Sequence, residues 1–122
     1  MSSFLRLPVN ADDGFPQAFS MRFGDRGYTV ALEVSVIDED VVATTEPLSL
    51  PLSEAYLVVS VTREDPGPPE VILRRKVVPR YEYQAAELSL VFTELKVDVR
   101  NLNGTGAFGS RVVGGVASRW AS

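Results

Sequence analysis

Three glycines with the spacing GxGxxG lie between Gly104 and Gly109, and loops with this spacing bind nucleotide phosphates in many proteins. In a dinucleotide site these glycines follow a parallel strand and open a helix, and an acidic residue about twenty positions later binds the ribose. No acidic residue follows Asp98 in this chain, and the residues after Gly109 have the pattern of a strand. The segment therefore indicates a hairpin loop and not a cofactor site.

Two clusters of acidic residues could attract a calcium or magnesium ion. Asp38, Glu39 and Asp40 form one cluster, and Asp12 and Asp13 form the other. Neither has the alternating oxygen ligands and the closing glutamate of a calcium loop. We interpret both clusters as solvated loop charges and expect no metal site. Nothing in the sequence marks a pair of carboxylates for glycoside chemistry.

The residue types that most often perform acid–base or nucleophilic chemistry are missing. The chain contains no histidine and no cysteine, which excludes disulfides, thiol nucleophiles, histidine-based triads and metal sites built on those side chains. A serine nucleophile would need Lys76 or Lys96 as its base, and no GxSxG elbow is present. We therefore predict that the protein is not an enzyme and has neither a catalytic residue nor a cofactor.

Tyr81 and Tyr83 lie two positions apart and therefore on one face of a strand. Together with Arg80 they could line an apolar pocket and stack against a sugar or a base. Alternatively, the two rings fill the edge of a core, which is the more common use of such a pair.

Composition and charge limit the class of protein. The chain has 122 residues, of which 45% are hydrophobic and 23% charged, with a net charge of −4. We expect one globular domain over residues 1–122. Residues 1–61 carry three basic and nine acidic residues, whereas residues 62–122 carry nine basic and seven acidic ones. An acidic chain is a poor candidate for nucleic-acid binding.

The sequence offers no targeting or membrane-spanning segment that we can identify. The first nine residues lack the apolar run of a signal peptide, and no segment approaches the ~20 apolar residues of a membrane span. We expect synthesis in the cytoplasm and no membrane partner.

Alternation of apolar and polar residues predicts most of the strands. Gln17–Phe23 and Tyr28–Ile37 alternate on either side of a glycine-containing turn, which indicates a hairpin. Ala55–Arg63 is apolar at almost every position, and we expect it to be buried on both faces. Val71–Val78 and Arg111–Ala117 complete the set of strands that the pattern marks.

The segment Gln84–Thr93 fits either a strand or an amphipathic helix. As a strand that continues past Glu94, it needs a bulge near Thr93-Glu94, because the alternation changes phase there.

Prolines at 47 and 51 make the LSLPLS stretch an unlikely central strand. The whole pattern predicts an all-β fold, a small barrel or sandwich of six to seven mainly antiparallel strands with at most one short helix.

The order of four segments resembles that in small β-barrel proteins of phage tails, in particular the baseplate plug-like family. These segments are Leu7–Val9, Gln17–Phe19, the Gly24–Gly27 turn and Tyr28–Val36. That family has a short I-P-L start, a Q-x-F strand, a glycine turn and an alternating strand. Gly109–Val112 is similar to the glycine-containing turn that precedes the family's final strand. The tryptophan that often follows the second strand in the family is absent here.

This resemblance implies a structural role in the virion tail, as a baseplate hub or plug protein made in the host cytoplasm that contacts ring-shaped hub, tube or spike neighbours. It also implies that residues 1–122 form a single compact β-barrel-like domain, and it implies no catalytic residue. The candidate contact residues are Leu5, Leu7, Asp38, Glu39, Asp40, Arg119 and Trp120. Other hypotheses are a free-standing barrel that binds a small molecule or carbohydrate, a head–tail connector and a capsid decoration protein.

Overall fold

A computed structural model describes residues 4–23, 25–36, 48–51, 55–65, 67–97 and 109–118. These residues form nine strands and a single 3-10 turn at Ala11–Asp13, and none of them belongs to a helix that is long and apolar enough to cross a membrane. The strands are β1 (Leu5–Arg6), β2 (Gln17–Phe23), β3 (Arg26–Val36), β4 (Leu48–Ser49), β5 (Ala55–Asp65), β6 (Glu70–Lys76), β7 (Glu82–Ala85), β8 (Leu88–Val97) and β9 (Arg111–Ser118).

The strands form two antiparallel sheets. One sheet has the order β1-β9-β8-β4, with β7 also paired to β8, and the other has the order β2-β3-β5-β6. No ladder joins the two sheets within the described ranges, so the molecule is a sandwich and not a closed barrel. The all-β prediction is confirmed, and the larger strand count arises because β1 and β4 have only two residues each.

The predicted first hairpin is present as β2 and β3. Its register runs from Gln17 opposite Leu32 to Phe23 opposite Arg26. Tyr28, Val30 and Leu32 are buried, as their alternation predicted. This face of β3 packs toward the second sheet because apolar residues spaced by two lie on the same side of a strand.

Strand β5 was expected to be buried on both faces, and this expectation is wrong. Alternate residues of the strand from Ala55 to Val61 are buried, whereas Tyr56, Val58 and Ser60 between them are only half-buried. The outer face of β5 is covered by the long side chains of its neighbours and not by a third layer. Lys76, for example, pairs across from Val58 and lays its ammonium group 4.9 Å from the centre of the Tyr56 ring.

The ambiguous segment Gln84–Thr93 is a hairpin and not a helix. Strands β7 and β8 are joined by a two-residue loop, because Ala85 pairs directly with Leu88. The register of β8 against β9 shifts between Phe92 and Glu94, which leaves Thr93 as the extra residue of a bulge. The bulge predicted from the change of phase is therefore confirmed.

Both sheets contribute to one hydrophobic core. Its largest fully buried side chains include those of Tyr28, Phe92, Leu32, Leu57, Leu88 and Leu90. In the described part of the LSLPLS stretch, Leu48 and Ser49 form the short strand β4 at the margin of its sheet, in agreement with the prediction from the prolines, and Leu50 belongs to the core. The Leu50 amide extends this pairing by donating to the Leu95 carbonyl at 2.9 Å.

Candidate functional site: a buried ionic cluster between the sheets

The most unusual polar residue of the sandwich is Glu87, whose side chain is only 3% exposed. It occupies the two-residue loop between β7 and β8, after Ala86, which adopts a left-handed φ of 53°. This conformation is uncommon for a residue with a Cβ and turns the chain sharply. The loop thereby places the Glu87 carboxylate inside the molecule, against the opposite sheet.

Three side chains of that opposite sheet surround the carboxylate. The Arg63 Nε donates to Glu87 Oε2 at 2.8 Å, and its Nη2 contacts the other oxygen, so the contact is bidentate. The Arg26 Nη1 lies 3.2 Å from Oε2, and the Tyr28 hydroxyl donates to the same oxygen. We call these four residues the ionic cluster.

The electrostatics of the ionic cluster favour the charged forms of the carboxylate and the guanidinium. Hydrogen bonds from Arg63, and more weakly from Tyr28 and Arg26, hold the pKa of the Glu87 carboxyl far below its usual range despite burial. The hydrogen bond to Glu87 in turn raises the pKa of Arg63. Burial, together with the neighbouring carboxylate, raises the pKa of the Tyr28 hydroxyl.

The arrangement is suited to holding two sheets together and not to transferring a proton. A general acid or base works best with a pKa near the operating pH, and the Glu87 pKa has moved in the opposite direction. Both carboxylate oxygens already accept hydrogen bonds from the protein. We found no buried side-chain nitrogen or oxygen without a partner among the described residues.

The sequence did not predict the ionic cluster, because Gln84–Thr93 was left open between a strand and an amphipathic helix and Glu87 was given no role. The available signal was an acidic residue with apolar neighbours on both sides, next to Leu88. That pattern does not identify the partners, because Arg63 and Arg26 are 24 and 61 positions away in the sequence.

Only some of the predicted contact residues lie in the described part of the chain. Leu5 is 62% exposed, whereas Leu7 is 2% exposed and belongs to the core, so it has almost no surface to offer a partner. The remaining contact candidates lie outside the described residues, namely Asp38, Glu39, Asp40, Arg119 and Trp120. Most of the GxGxxG segment also lies outside them. Asp12 and Asp13 are exposed, and no group of three or more metal-ligating side chains occurs in the ranges that the structure describes.

The two tyrosines have different environments. The Tyr83 hydroxyl donates to the Lys76 carbonyl at 2.9 Å and accepts from the Val78 amide at 2.7 Å, so Tyr83 is a core residue that links the sheets. Tyr81 is 54% exposed, with its ring centre 4.8 Å from that of Tyr83. Both rings border an open depression of about 390 Å³ that Arg75 also lines. Arg80 lies outside it, beside a second depression.

No protein-family model, curated protein or solved structure matches this chain. The similarity to phage-tail proteins therefore stays a prediction from short motifs.

Proposed function

We propose that the chain is a non-enzymatic structural subunit of a phage tail or tail-like machine, placed near the baseplate, where it contacts hub, tube or spike proteins. The placement in a tail rests on the motif resemblance of Leu7–Val9, Gln17–Phe19 and Tyr28–Val36, and the ionic cluster is the observation that supports the non-enzymatic role. Among the described residues, Glu87 has a buried carboxylate whose oxygens are already bound by Arg63, Arg26 and Tyr28, and its pKa is lowered. The carboxylate therefore supports the fold and is a poor general acid or base.

Pairing of the exposed charges supports the same proposal. Arg74 lies 2.7 Å from Glu33 and also donates to Ser60, while Arg22 lies 3.1 Å from Asp65. Each ion pair spans one intervening strand of the same sheet, because Arg74 of β6 reaches β3 across β5 and Arg22 of β2 reaches β5 across β3. Groups engaged in this way are not poised to act on a substrate.

Exposed apolar side chains supply surface for neighbours. Leu5 is 62% exposed, Tyr81 is 54% exposed and Val78 is 45% exposed. Aromatic residues and arginine are enriched among the residues that dominate binding energies at protein interfaces. Trp120, next to Arg119, has this composition and is the residue we expect to matter most.

Incorporation of variants into purified particles tests the proposal. Trp120→Ala is expected to lower the number of copies per particle, counted by quantitative mass spectrometry, while circular dichroism and the melting temperature stay as in the parent chain. Val71→Ala, which also removes an exposed apolar side chain, is the matched control and is expected to leave the copy number unchanged. Normal incorporation of a folded Trp120→Ala chain would contradict the proposed contact.

One observation favours a second candidate, a protein that binds a small molecule or carbohydrate. The depression beside Tyr81 is large enough for such a ligand and has an exposed aromatic ring and Arg75 in its wall. However, the Tyr83 hydroxyl in the same wall is already engaged with the backbone. The depression is also open to solvent, whereas most ligand pockets enclose the larger part of their ligand.

A further inference from the structure

Strand β2 is an edge of its sheet. Within the described residues it pairs only with β3, along its full length of seven residues. The other side of an edge strand presents backbone N–H and C=O groups that can pair with a further strand. β6 is the opposite edge of the same sheet and is equally long.

The two edges differ in the charges that they carry. Four of the seven residues of β6 are charged, namely Glu70, Arg74, Arg75 and Lys76. Charged side chains are a common means by which natural sheets prevent pairing at an edge. Strand β2 has only Arg22, and that guanidinium is held by Asp65 of its own chain at 3.1 Å. β6 is thus protected against pairing with another strand, and β2 is not.

The side chains of β2 also suit an added strand. Phe19, Met21 and Phe23 pack against the core but are only half-buried. Ala18 and Ser20 point to the other face, where they are small and exposed. A strand beside β2 would cover the remaining exposed surface of the three large apolar residues, and Arg22 is the one bulky residue of β2 that it would meet on the outer face.

We propose that β2 pairs antiparallel with β2 of a second copy of this chain, with Ser20 opposite Ser20 on a two-fold axis. This register uses all seven residues and places Phe19 opposite Met21 of the partner copy, on the inner face of both sheets. Arg22 lies opposite Ala18, so no like charges face each other. The interface is isologous and joins two four-stranded sheets into one of eight strands. The proposal rests on the proposed role as an assembly subunit and names one of its contacts.

The central position of Ser20 allows a sharp test with the full-length chain. Ser20→Lys and Ser20→Glu each put like charges face to face across the axis, so each variant alone is expected to self-associate several-fold more weakly than the parent in sedimentation equilibrium. An equimolar mixture of the two variants is expected to restore association, because lysine then faces glutamate. Val71→Lys, on the edge strand β6, is the matched control and is expected to associate like the parent.

Backbone protection gives a second measurement that needs no substitution. Amide hydrogen exchange at residues 17–23 is expected to slow as the concentration of the parent chain rises, whereas exchange at residues 70–76 stays constant. The proposal would be overturned if the parent chain remained monomeric or if the Ser20 variants associated as strongly as the parent. It would also be overturned if Ser20→Lys and Val71→Lys had equal effects, or if mixing the two Ser20 variants did not restore association. Absence of the chain from virus particles would overturn the proposed function and leave this dimer intact, so the two failures are distinguishable.

Discussion

Glu87 retains a charge inside the sandwich because it exchanges water for three directed donors. Burying a carboxylate without partners costs several kcal/mol, about as much as its attraction to a well-placed cation returns. Here Arg63 makes a bidentate contact, Arg26 adds a second cation at 3.2 Å, and the Tyr28 hydroxyl completes the shell. The position is therefore sensitive to the loss of any one partner.

Glu87→Gln is expected to lower the free energy of unfolding at pH 7 by about 3 kcal/mol, near the lower end of the range for breaking a buried ion pair. The amide leaves Arg63 and Arg26 facing a neutral group. Urea denaturation measures this loss. Glu70→Gln removes the exposed carboxylate that lies 3.2 Å from Arg63 and is the control, with an expected loss below about 1 kcal/mol. Equal losses in the two variants would contradict the role given to Glu87.

The lowered pKa of Glu87 also predicts a pH dependence. A carboxyl whose pKa is lower in the folded state stabilises the fold above its unfolded-state pKa, and this contribution is lost as the pH falls toward the folded value. The parent chain is therefore expected to lose stability below about pH 4.5 more steeply than Glu87→Gln, and the two curves should converge in strong acid. Parallel curves down to pH 2 would show that Glu87 is not held ionised by the cluster.

At the scale of single strands, the alternation of apolar and polar residues in the sequence predicted most of the strand positions. The alternation over Gln17–Phe23 and the following segment predicted the first hairpin, and the change of phase near Thr93 predicted the bulge. The β7–β8 hairpin was not predictable in the same way, because its loop is Ala86-Glu87 and contains none of the glycine, asparagine or aspartate residues that mark two-residue turns.

The packing of β9 against β8 depends on a glycine whose role is invisible in the sequence. Gly114 pairs with Phe92, and a Cβ built at this glycine would lie 2.7 Å from the Phe92 ring and 3.2 Å from Leu7. Both neighbours are buried and have little room to move. The Phe92 ring therefore occupies the space that the missing side chain leaves.

Gly114→Ala is expected to destabilise the chain by about 1–3 kcal/mol, the usual cost of overpacking a core, as measured by chemical denaturation. Phe92→Leu in the same background shortens the side chain that the new methyl group meets. The double variant should consequently lose less than the sum of the two single losses. Additive losses would show that the Gly114–Phe92 contact does not carry the effect.

At the scale of the whole molecule, several charged and aromatic groups of the described residues connect the strands and the two sheets. The ionic cluster joins the two sheets through Glu87, and Tyr83 joins them at another point through the backbone at Lys76 and Val78. The fold class was predictable from periodicity, because strand patterning is local. The choice of a sandwich over a barrel was not, since it depends on which strands pair across long distances in the sequence.

We propose that this chain is a structural part of a phage tail, and its location in virus particles is the decisive test of that role. The source lysate is separated into tails, heads and soluble protein, and the copies of the chain in each fraction are counted by quantitative mass spectrometry. A tail subunit is expected at a fixed small number of copies per particle in the tail fraction. Recovery of the chain only in the soluble fraction would contradict it and would favour ligand binding at the depression beside Tyr81.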